Sequence, residues 1–315
     1  MQQVYKTIKV LIEESKTVLI AAHIDPDGDT LGSMIAMHLI LEQLGKKSEM
    51  VAVSGLPESY QFLPRSEKIQ KKPKRKEYDL LITVDSSDLT RLGKLDLKAK
   101  NIINIDHHPD NTNFGDINCV ELLSSVAEQI YKLAKELRVE ITQDIAVALY
   151  VAIMTDTGNF RYASTLPSTF HIAWELVEAG AVPWKIASAV YDVKTIAGMK
   201  VLAYALENMK VEKGGKFVWS AVPKSIVEKY GAKAEDLISI IDHLRAIKGS
   251  QVSVFMREDS TGKIKINFRS KGEVNVSKIA NEIGGGGHIQ AAGAQLDIPL
   301  AEAEEKVVAT VLKNM

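Results

Sequence analysis

Three short apolar runs in the first half of the chain are each followed directly by acidic and imidazole side chains. The clusters that follow them lie at 23–29 (HIDPDGD), 85–87 (DSS) and 106–108 (DHH). Each apolar run has the length of a buried strand, and parallel α/β sheets place their ligands outside the carboxyl ends of the strands. The pattern therefore predicts that the three clusters meet at one edge of a parallel sheet, where their negative charge would need cations.

Strand-like runs alternate with segments of helical apolar spacing as far as about residue 190. Strands are predicted at 17–22, 47–53, 78–84 and 101–105, and helices at 30–44, 125–137, 142–154 and 168–179. The spacing of Ser125 and Glu128 is typical of a capping box at the start of one of these helices. The alternation predicts an α/β domain whose parallel sheet is covered on both faces.

The pattern changes beyond this point to three further strands, of which the last two alternate polar and apolar residues. They are predicted at 216–222, 251–258 and 263–270, with helices at 276–283 and 300–313. The second and third of these strands flank a short turn and form a predicted hairpin. We therefore predict a catalytic α/β domain over 1–190, a helical connector over 191–212 and a smaller α+β domain over 213–315.

The amino-acid composition restricts the kind of molecule that the protein is expected to bind. The formal net charge is −1, whereas proteins that bind long duplex nucleic acid usually carry an excess of basic residues, so a small anionic substrate is favoured.

The single cysteine, Cys119, excludes an intrachain disulfide and suits a reducing compartment. No signal-peptide core and no apolar run of membrane-spanning length is visible. We expect a cytoplasmic protein that binds no membrane.

The clusters supply a set of candidate metal ligands, which are His23, Asp27, Asp29, Asp85, His107 and Asp156. Carboxylate oxygens with a few imidazole nitrogens suit Mn²⁺ or Mg²⁺. Two carboxylates about 4 Å apart repel by roughly 4 kcal/mol at an effective dielectric constant near 20, so several in one pocket favour two divalent ions. A lone Asp after a strand is more often a turn former or a helix cap, and Asp29 could cap the following helix. Three clusters at three strand ends nevertheless favour the metal site.

Catalytic roles can also be assigned to individual residues of the predicted site. Two cations can clamp a phosphoryl group and activate a water for attack on it. Asp85, at a central strand end, is the predicted bridge between them. His107 and His108 should diverge, so that His108 faces the substrate and acts on its phosphate or leaving group. The predicted catalytic residues are Asp85, Asp106 and His108.

These segments resemble the motifs of the DHH phosphoesterase superfamily, whose name comes from the triplet at 106–108. The matching segments follow the family order over essentially the whole chain and lie at 23–29, 85–93, 104–115, 155–160 and 284–288 (GGGGH). The last is the signature of the C-terminal domain that accompanies the family. Length and domain content resemble the branch that degrades very short RNAs to mononucleotides and dephosphorylates 3′-phosphoadenosine 5′-phosphate (pAp). The resemblance implies dependence on Mn²⁺, and Asp25, where relatives often carry Asn, is not counted as a ligand.

The second domain is predicted to bind the substrate. Glycines allow backbone N–H groups to approach an anion, and Arg269 at the end of a strand could make a forked contact with phosphate. A flexible turn with an exposed histidine is the alternative at the glycine-rich segment, and the resemblance favours phosphate binding. The predicted substrate-binding residues are Arg269, Ser270, Gly285, Gly286, Gly287 and His288.

Rival functions remain open. A family II inorganic pyrophosphatase has similar metal motifs, but that family carries a basic Arg-Lys-Lys signature where this chain has GGGGH. A phosphodiesterase for pApA, or a nucleotide-binding sensor without catalysis, are further alternatives. The sequence leaves open the preferred substrate, the cleavage polarity, the choice between Mn²⁺ and Mg²⁺ and the oligomeric state, with a homodimer among the expectations.

Overall fold

The computed structural model describes residues 2–315. The chain forms two compact units, one reaching to Val193 and the other running from Lys194 to Met315. The helix Ile196–Glu207, which falls within the predicted connector, packs into the second unit through Val201 and Ala205. The described residues contain no helix that is both long enough and apolar enough to span a bilayer.

A six-stranded sheet, parallel throughout, forms the centre of the first unit. Its strands are β1 (Val18–Ala21), β2 (Ser48–Val51), β3 (Ile69–Gln70), β4 (Glu77–Val84), β5 (Lys98–Asp106) and β6 (Ile117–Val120). They lie in the order β3-β2-β1-β4-β5-β6. The order reverses direction between β1 and β4, and ligands of such sheets bind at this switch point. The predicted parallel α/β architecture is confirmed.

Six helices are formed by the described residues of this unit, and all lie on the same side of the sheet. They are α1 (Gln2–Glu14), α2 (Gly28–Gln43), α3 (Val126–Glu136), α4 (Gln143–Asp156), α5 (Pro167–Glu178) and α6 (Pro183–Tyr191). The other face is covered by the connection from β4 to β5, where Leu92 is buried against Leu19 and Leu81. Both faces of the sheet are thus covered, as expected, but the second face is covered by this short connection, whose one helical element is the 3₁₀ turn Leu89–Leu92.

The start of α3 also differs from the prediction. Ser125 caps the helix by accepting a hydrogen bond from the Ala127 N–H at 3.0 Å. The Glu128 carboxylate instead accepts hydrogen bonds from the hydroxyls of Ser124 and Thr169. The predicted capping box is thus wrong, because Glu128 is fully buried and is bonded by residues outside the cap.

Helices α2 and α4 approach each other unusually closely. A Cβ atom on Gly32 would lie 2.3 Å from the carbonyl oxygen of Ala148, and one on Gly28 would lie 2.4 Å from the Thr155 hydroxyl. Small residues allow such close approach of two helix backbones. Because α2 begins beside Asp27 and α4 ends at Asp156, this packing brings the two ends of the helices together.

The second unit is a smaller α+β fold. Its strands are β7 (Lys210–Glu212), β8 (Phe217–Val222), β9 (Val252–Glu258), β10 (Ile264–Ser270), β11 (Gly286–His288) and β12 (Ala291–Leu296), in the order β11-β12-β10-β9-β8-β7. Only the β8–β9 pair is parallel. Its helices are α7 (Ile196–Glu207), α8 (Lys224–Tyr230), α9 (Ile240–Ala246), α10 (Val276–Asn281) and α11 (Leu300–Lys313). The hairpin predicted for residues 251–270 is confirmed as β9 and β10.

Candidate metal centre

The carboxyl ends of β1, β4 and β5 bring the three clusters together, as the sequence pattern predicted. Three sets of side chains each offer ligand atoms within 4.8 Å of one another in the first unit. The sets are His23–Asp27–Asp85, Asp29–Asp85–His107 and Asp85–Asp106–His108. Asp85 belongs to all three, so the cluster is centred on this carboxylate.

Two imidazoles present the same ring nitrogen to the cluster. The Nδ1–H of His23 donates to the Ile24 carbonyl at 2.7 Å, and that of His107 donates to the Leu123 carbonyl at 3.0 Å. A carbonyl can only accept, so the hydrogen is fixed on Nδ1 and Nε2 points to the carboxylates. The Nε2 atoms lie 3.5 Å from the Oδ2 and Oδ1 atoms of Asp85, respectively. Histidines that bind metals are commonly oriented in this way by a backbone carbonyl.

Asp85 itself is held in a strained position. Its φ of 56° is in the left-handed region, which costs a residue other than glycine roughly 1–2 kcal/mol. Its Oδ2 atom accepts a hydrogen bond from the Thr30 hydroxyl at 2.6 Å. Its Oδ1 atom is buried without a hydrogen-bond partner, 3.5 Å from His107 Nε2 and 3.6 Å from His108 Nδ1. A buried carboxylate oxygen left in this state calls for a positive ligand.

The two aspartates at the start of α2 have different surroundings. Asp27 is exposed and caps α2 by accepting a hydrogen bond from the Thr30 N–H at 3.1 Å. Asp29 is buried and accepts hydrogen bonds from the Ser125 hydroxyl at 2.8 Å and the Val126 N–H at 2.9 Å. The capping role considered for Asp29 on its own helix therefore belongs to Asp27, and Asp29 joins α2 to the start of α3.

Asp156 closes the cluster from the end of α4. Its Oδ2 atom lies 3.7 Å from His107 Nε2. Thr157 caps the helix directly after it, and three successive residues with positive φ follow, Gly158, Asn159 and Phe160. The Phe160 ring stacks on Phe170 at 5.4 Å between centroids, so its contacts are those of a packing residue.

The pKa values of the carboxylates in this cluster are shifted in opposite directions. Burial and the nearby charges of Asp85 and Asp156 raise the pKa of Asp29 well above its usual value. Burial likewise raises the pKa of Asp156 to about 7, although His107 opposes the rise. Burial would also raise the pKa of Asp85, but the neighbouring imidazoles of His107, His23 and His108 prevail and hold it well below its usual range. The cluster is thus short of positive charge, and protons or cations must supply it.

Asp106 and His108 form a pair beside the cluster. Asp106 is fully buried and accepts hydrogen bonds from His108 Nδ1–H at 2.8 Å and from the Asn111 amide at 2.5 Å. The rings of His107 and His108 are nearly perpendicular, at 81°. The imidazoles therefore diverge as predicted, and the contacts of Asp106 are those of a residue that orients His108.

Sequence reasoning missed the neutral residues that support these groups. Thr30 contacts His23, Asp27 and Asp85 through its hydroxyl. Asn111 bonds both Asp106 and Asn104. Hydroxyl and amide side chains occur throughout the chain. Only the position of Thr30 and Asn111 close to the cluster motifs in the sequence could have indicated that they support the site.

In the second unit, Arg269 and His288 lie on one face of the sheet. Both are in register with Ala291 of β12, which separates them, so they are roughly 10 Å apart across the strands. Arg269 is partly buried, and its Nε lies 3.9 Å from Asp242 Oδ1. Ser270 is buried and donates its hydroxyl to the Ile289 carbonyl at 3.3 Å. The alternation along β10 turns Ser270 to the face opposite Arg269.

The glycine-rich segment forms a strand rather than the flexible turn that was considered as the alternative. Gly286, Gly287 and His288 form β11, an edge strand paired with β12. Gly285 lies just before it, where a Cβ atom would be 2.1 Å from the Gly293 carbonyl oxygen. The glycines therefore allow two backbones to approach closely, and an edge strand also presents unpaired backbone groups on its outer side.

Comparison with known proteins agrees with these motifs. Residues 17–153 match the DHH family N-terminal domain, and residues 214–315 match the DHHA1 domain. Over 95% of its length the chain is 34% identical to the bifunctional oligoribonuclease and PAP phosphatase NrnA of Thermus thermophilus, and the match covers 90% of that protein. The chain belongs to the DHH family. The predicted family resemblance, and with it the class of phosphoester hydrolase, is confirmed.

Other DHH-family relatives extend over the same length. The protein of the same name from Bacillus subtilis is 30% identical over 89% of both chains. An exopolyphosphatase-related protein from Bacteroides fragilis has a similar crystal structure, with a TM-score of 0.90 and 26% identity over 99% of this chain and 96% of that one. The similarity to both proteins thus extends over most of the chain.

Proposed function

We propose that this DHH-family chain hydrolyses short oligoribonucleotides to mononucleotides and removes a phosphate from pAp, using divalent cations held in the first unit. The observation that carries the proposal is the convergence of two inward-facing imidazoles and the carboxylates of Asp27, Asp29 and Asp156 around Asp85, whose buried Oδ1 lacks a hydrogen-bond partner. The substrate class is taken from the names of relatives that match nearly the whole chain.

The residues present fit a pair of hard divalent cations. Oxygen donors dominate, both histidines offer Nε2, and a buried carboxylate oxygen lacks a partner. We propose that one ion is held by His23, Asp27 and Asp85, and the other by Asp29, Asp85, His107 and Asp156. Asp85 would be shared between them. Oxygen-rich ligands with some imidazole favour Mn²⁺, with Mg²⁺ as the alternative.

Such ions would polarise the phosphate and make a water a better nucleophile at neutral pH. The chain itself supplies orientation and proton transfer. Asp106 holds the Nδ1–H of His108, so the opposite ring nitrogen is the atom through which His108 would donate a proton to the leaving oxygen. Asp106 acts through His108, and we therefore assign it as a positioning residue.

We propose that Arg269 and His288 bind phosphate groups of the substrate. Their common face on the second sheet and the open edge of β11 beside them support this assignment. The backbone of Gly285, Gly286 and Gly287 would add N–H donors to the same phosphate. The contacts of Ser270 support a structural role, since its hydroxyl is engaged with Ile289.

The proposed function is tested by a panel of substrates measured with and without metal. We expect Mn²⁺-dependent release of mononucleotide from pApA and from RNAs of two to five nucleotides, and of phosphate from pAp. Chelation by EDTA should abolish each reaction, and added Mn²⁺ should restore it. Exclusive turnover of pyrophosphate would instead identify a pyrophosphatase, and exclusive turnover of pApA a dedicated phosphodiesterase.

Replacement of Arg269 or His288 by alanine should raise the KM for dinucleotides roughly 10- to 100-fold, because a charged hydrogen bond contributes about 1.5–3 kcal/mol. The kcat and the bound metal should change little. Lys265→Ala is the matched control, since Lys265 lies on the same strand face four residues away. Loss of metal in the Arg269 or His288 variants would contradict this division of roles.

A further inference from the structure

A basic segment lies directly before β4, at the end of the first sheet opposite the metal centre. Residues 71–76 read KKPKRK, although the whole chain has a formal net charge of −1. Together with residues 94–96, which precede β5, the segment lines a cavity of about 370 Å³. We call this cavity the lysine groove, and its basic lining residues are Lys72, Lys74, Arg75, Lys76 and Lys94.

The first wall of the lysine groove is held by side chains of β2 and β4. The Glu49 carboxylate accepts a hydrogen bond from the Lys74 N–H at 3.1 Å and lies 3.6 Å from Arg75 Nε. The buried Tyr78 hydroxyl accepts a hydrogen bond from the Arg75 N–H at 3.2 Å and donates one to Glu49 at 2.8 Å. The basic segment therefore has a fixed backbone, unlike a solvated run of charges.

The second wall is bonded directly to the first. The Lys76 ammonium group forms an ion pair with the Asp96 carboxylate and donates to the Asp96 carbonyl at 3.3 Å. The Lys98 N–H donates to the Lys76 carbonyl at 2.9 Å. Asp96 has a φ of 48°, in the left-handed region, and such backbone outliers are concentrated at functional sites. The groove thus has two walls in a defined relation.

Three cations of the groove have no counter-ion. Within residues 2–315, the exposed ammonium groups of Lys72, Lys74 and Lys94 form no ion pair, whereas the other two basic side chains have carboxylate partners. Like charges around one cavity repel, by about 0.6 kcal/mol for a pair 7 Å apart in water. A bound anion would remove this repulsion and accept charge-assisted hydrogen bonds from all three groups.

We propose that the lysine groove is a binding site for anions that carry two or three linked phosphates. Small-molecule pockets enclose about 300–1,000 Å³, which includes this volume, whereas a macromolecular partner needs a contact of about 800 Å² on each side. Lysine binds phosphate as a point charge. A terminal phosphate carries about −1.5 to −2 charge and each inner phosphate adds one more, so a di- or triphosphate nearly balances three ammonium groups.

The groove is separate from the metal centre. It lies at the amino end of β4, whose eight residues, Glu77–Val84, lead to Asp85 at the carboxyl end. At about 3.3 Å per residue, the strand places some 23 Å between the two sites. A dinucleotide bound at Asp85 therefore does not occupy the groove.

An apolar cavity beside the groove distinguishes two sources of linked phosphates. Leu95 lines both cavities, and the apolar one has a volume of about 140 Å³ with only leucine, isoleucine, alanine and glycine around it. An aliphatic cavity of about 150 Å³ accommodates one aromatic ring. A nucleoside polyphosphate would place a ring of its base there, whereas inorganic polyphosphate would contact the lysine groove alone.

The test is isothermal titration calorimetry of the full chain with sodium tripolyphosphate and with adenosine triphosphate at low ionic strength. EDTA is present throughout, so that the carboxylates of the metal centre repel both probes. Every protein also carries Arg269→Ala/His288→Ala, which removes the phosphate-binding residues proposed for the second unit. We expect one site per chain with a Kd of about 10–100 μM. At least about fivefold tighter binding of adenosine triphosphate identifies the nucleoside source, and equal binding identifies free polyphosphate.

Neutral replacements in the groove assign the site. The triple variant Lys72→Gln/Lys74→Gln/Lys94→Gln should raise the Kd for tripolyphosphate at least about 30-fold, because it removes all three unpaired charges. The matched control removes the same charge from α1 and α6 through Lys6→Gln/Lys9→Gln/Lys185→Gln, and its Kd should stay within about threefold. Thermal unfolding followed by circular dichroism checks that both triple variants are folded.

Three results would overturn the proposal. One is the absence of binding of either probe with a Kd below about 1 mM. Another is an equal Kd for the groove variant and the control variant, because the phosphates would then bind elsewhere. The third is a single-stranded RNA of about 12 nucleotides that binds at least tenfold more tightly than both probes and loses this affinity in the groove variant, since the groove would then be part of a nucleic-acid surface. None of these measurements depends on hydrolysis, so they stand apart from the function proposed for the metal centre.

Discussion

The Asp85→Asn variant is expected to hydrolyse dinucleotides at least about a thousandfold more slowly in kcat/KM, a loss of about 4 kcal/mol of transition-state stabilisation. Asp85 contributes to every ligand set of the first unit, and its buried Oδ1 faces His107 without a hydrogen-bond partner. Asparagine keeps the size of the side chain but removes the negative charge that we propose both cations share. Initial rates on pApA at saturating Mn²⁺ measure the effect.

The matched control is Asp88→Asn. Asp88 follows the same strand, but its carboxylate accepts hydrogen bonds from the N–H and hydroxyl of Thr90 and belongs to none of the ligand sets. Asparagine can retain such a cap, so activity should stay within about threefold of the unaltered chain. An Asp85→Asn enzyme that keeps more than a tenth of the activity would contradict the assignment.

The Gly32→Ala variant is expected to lower the free energy of unfolding of the first unit by about 2–3 kcal/mol through overpacking. The new Cβ would lie 2.3 Å from the Ala148 carbonyl oxygen and 2.9 Å from the Ala152 Cβ. The carbonyl is backbone and cannot rotate away, so α2 must move from α4. Because these helices carry Asp29 and Asp156, kcat/KM should fall as well.

Urea denaturation together with pApA hydrolysis measures both effects. Helix propensity alone predicts the opposite sign, since alanine in an unobstructed helix is more stable than glycine by about 0.5–1 kcal/mol. An unchanged or raised unfolding free energy would therefore show that the close approach of α2 and α4 is not a feature of the protein.

The strand ends were predictable because each carries two independent signals. The runs before His23, Asp85 and Asp106 are rich in apolar residues, and the polar clusters follow at once. The strand β6 (Ile117–Val120) was missed because it is short and contains Asn118 and Cys119 between its apolar ends. Its place is set by pairing with β5, a contact distant in sequence.

The relation of α2 to α4 could have been predicted in part. Gly28 and Gly32 are four residues apart, and Ala148 and Ala152 repeat that spacing on the other helix. Small residues at this interval favour close helix packing, yet nothing in either segment says which helix is the partner. The structure of the glycine-rich segment was harder to predict, because glycine favours turns. Only its pairing with the small residues of β12 makes the segment a strand.

The supporting contacts were beyond sequence reasoning for a physical reason. The Ser125 hydroxyl and Val126 N–H reach Asp29 because a helix N-terminus offers unsatisfied donors to any nearby carboxylate. Which carboxylate lies nearby depends on the packing of α2 against α3. The predicted ligands could be recognised because acidic and imidazole side chains cluster in a few motifs. The hydroxyl and backbone groups that orient them occur throughout the chain, and only the folded structure shows which of them contact a ligand.

The number of Mn²⁺ ions bound per chain tests the account most directly. Equilibrium dialysis of the metal-free protein against Mn²⁺ should give two ions per chain, and the Asp85→Asn variant under the same conditions should lose both or hold one weakly. Two ions bound with unchanged affinity by Asp85→Asn, or hydrolysis that proceeds while the unaltered chain binds none, would contradict a cation pair centred on this carboxylate.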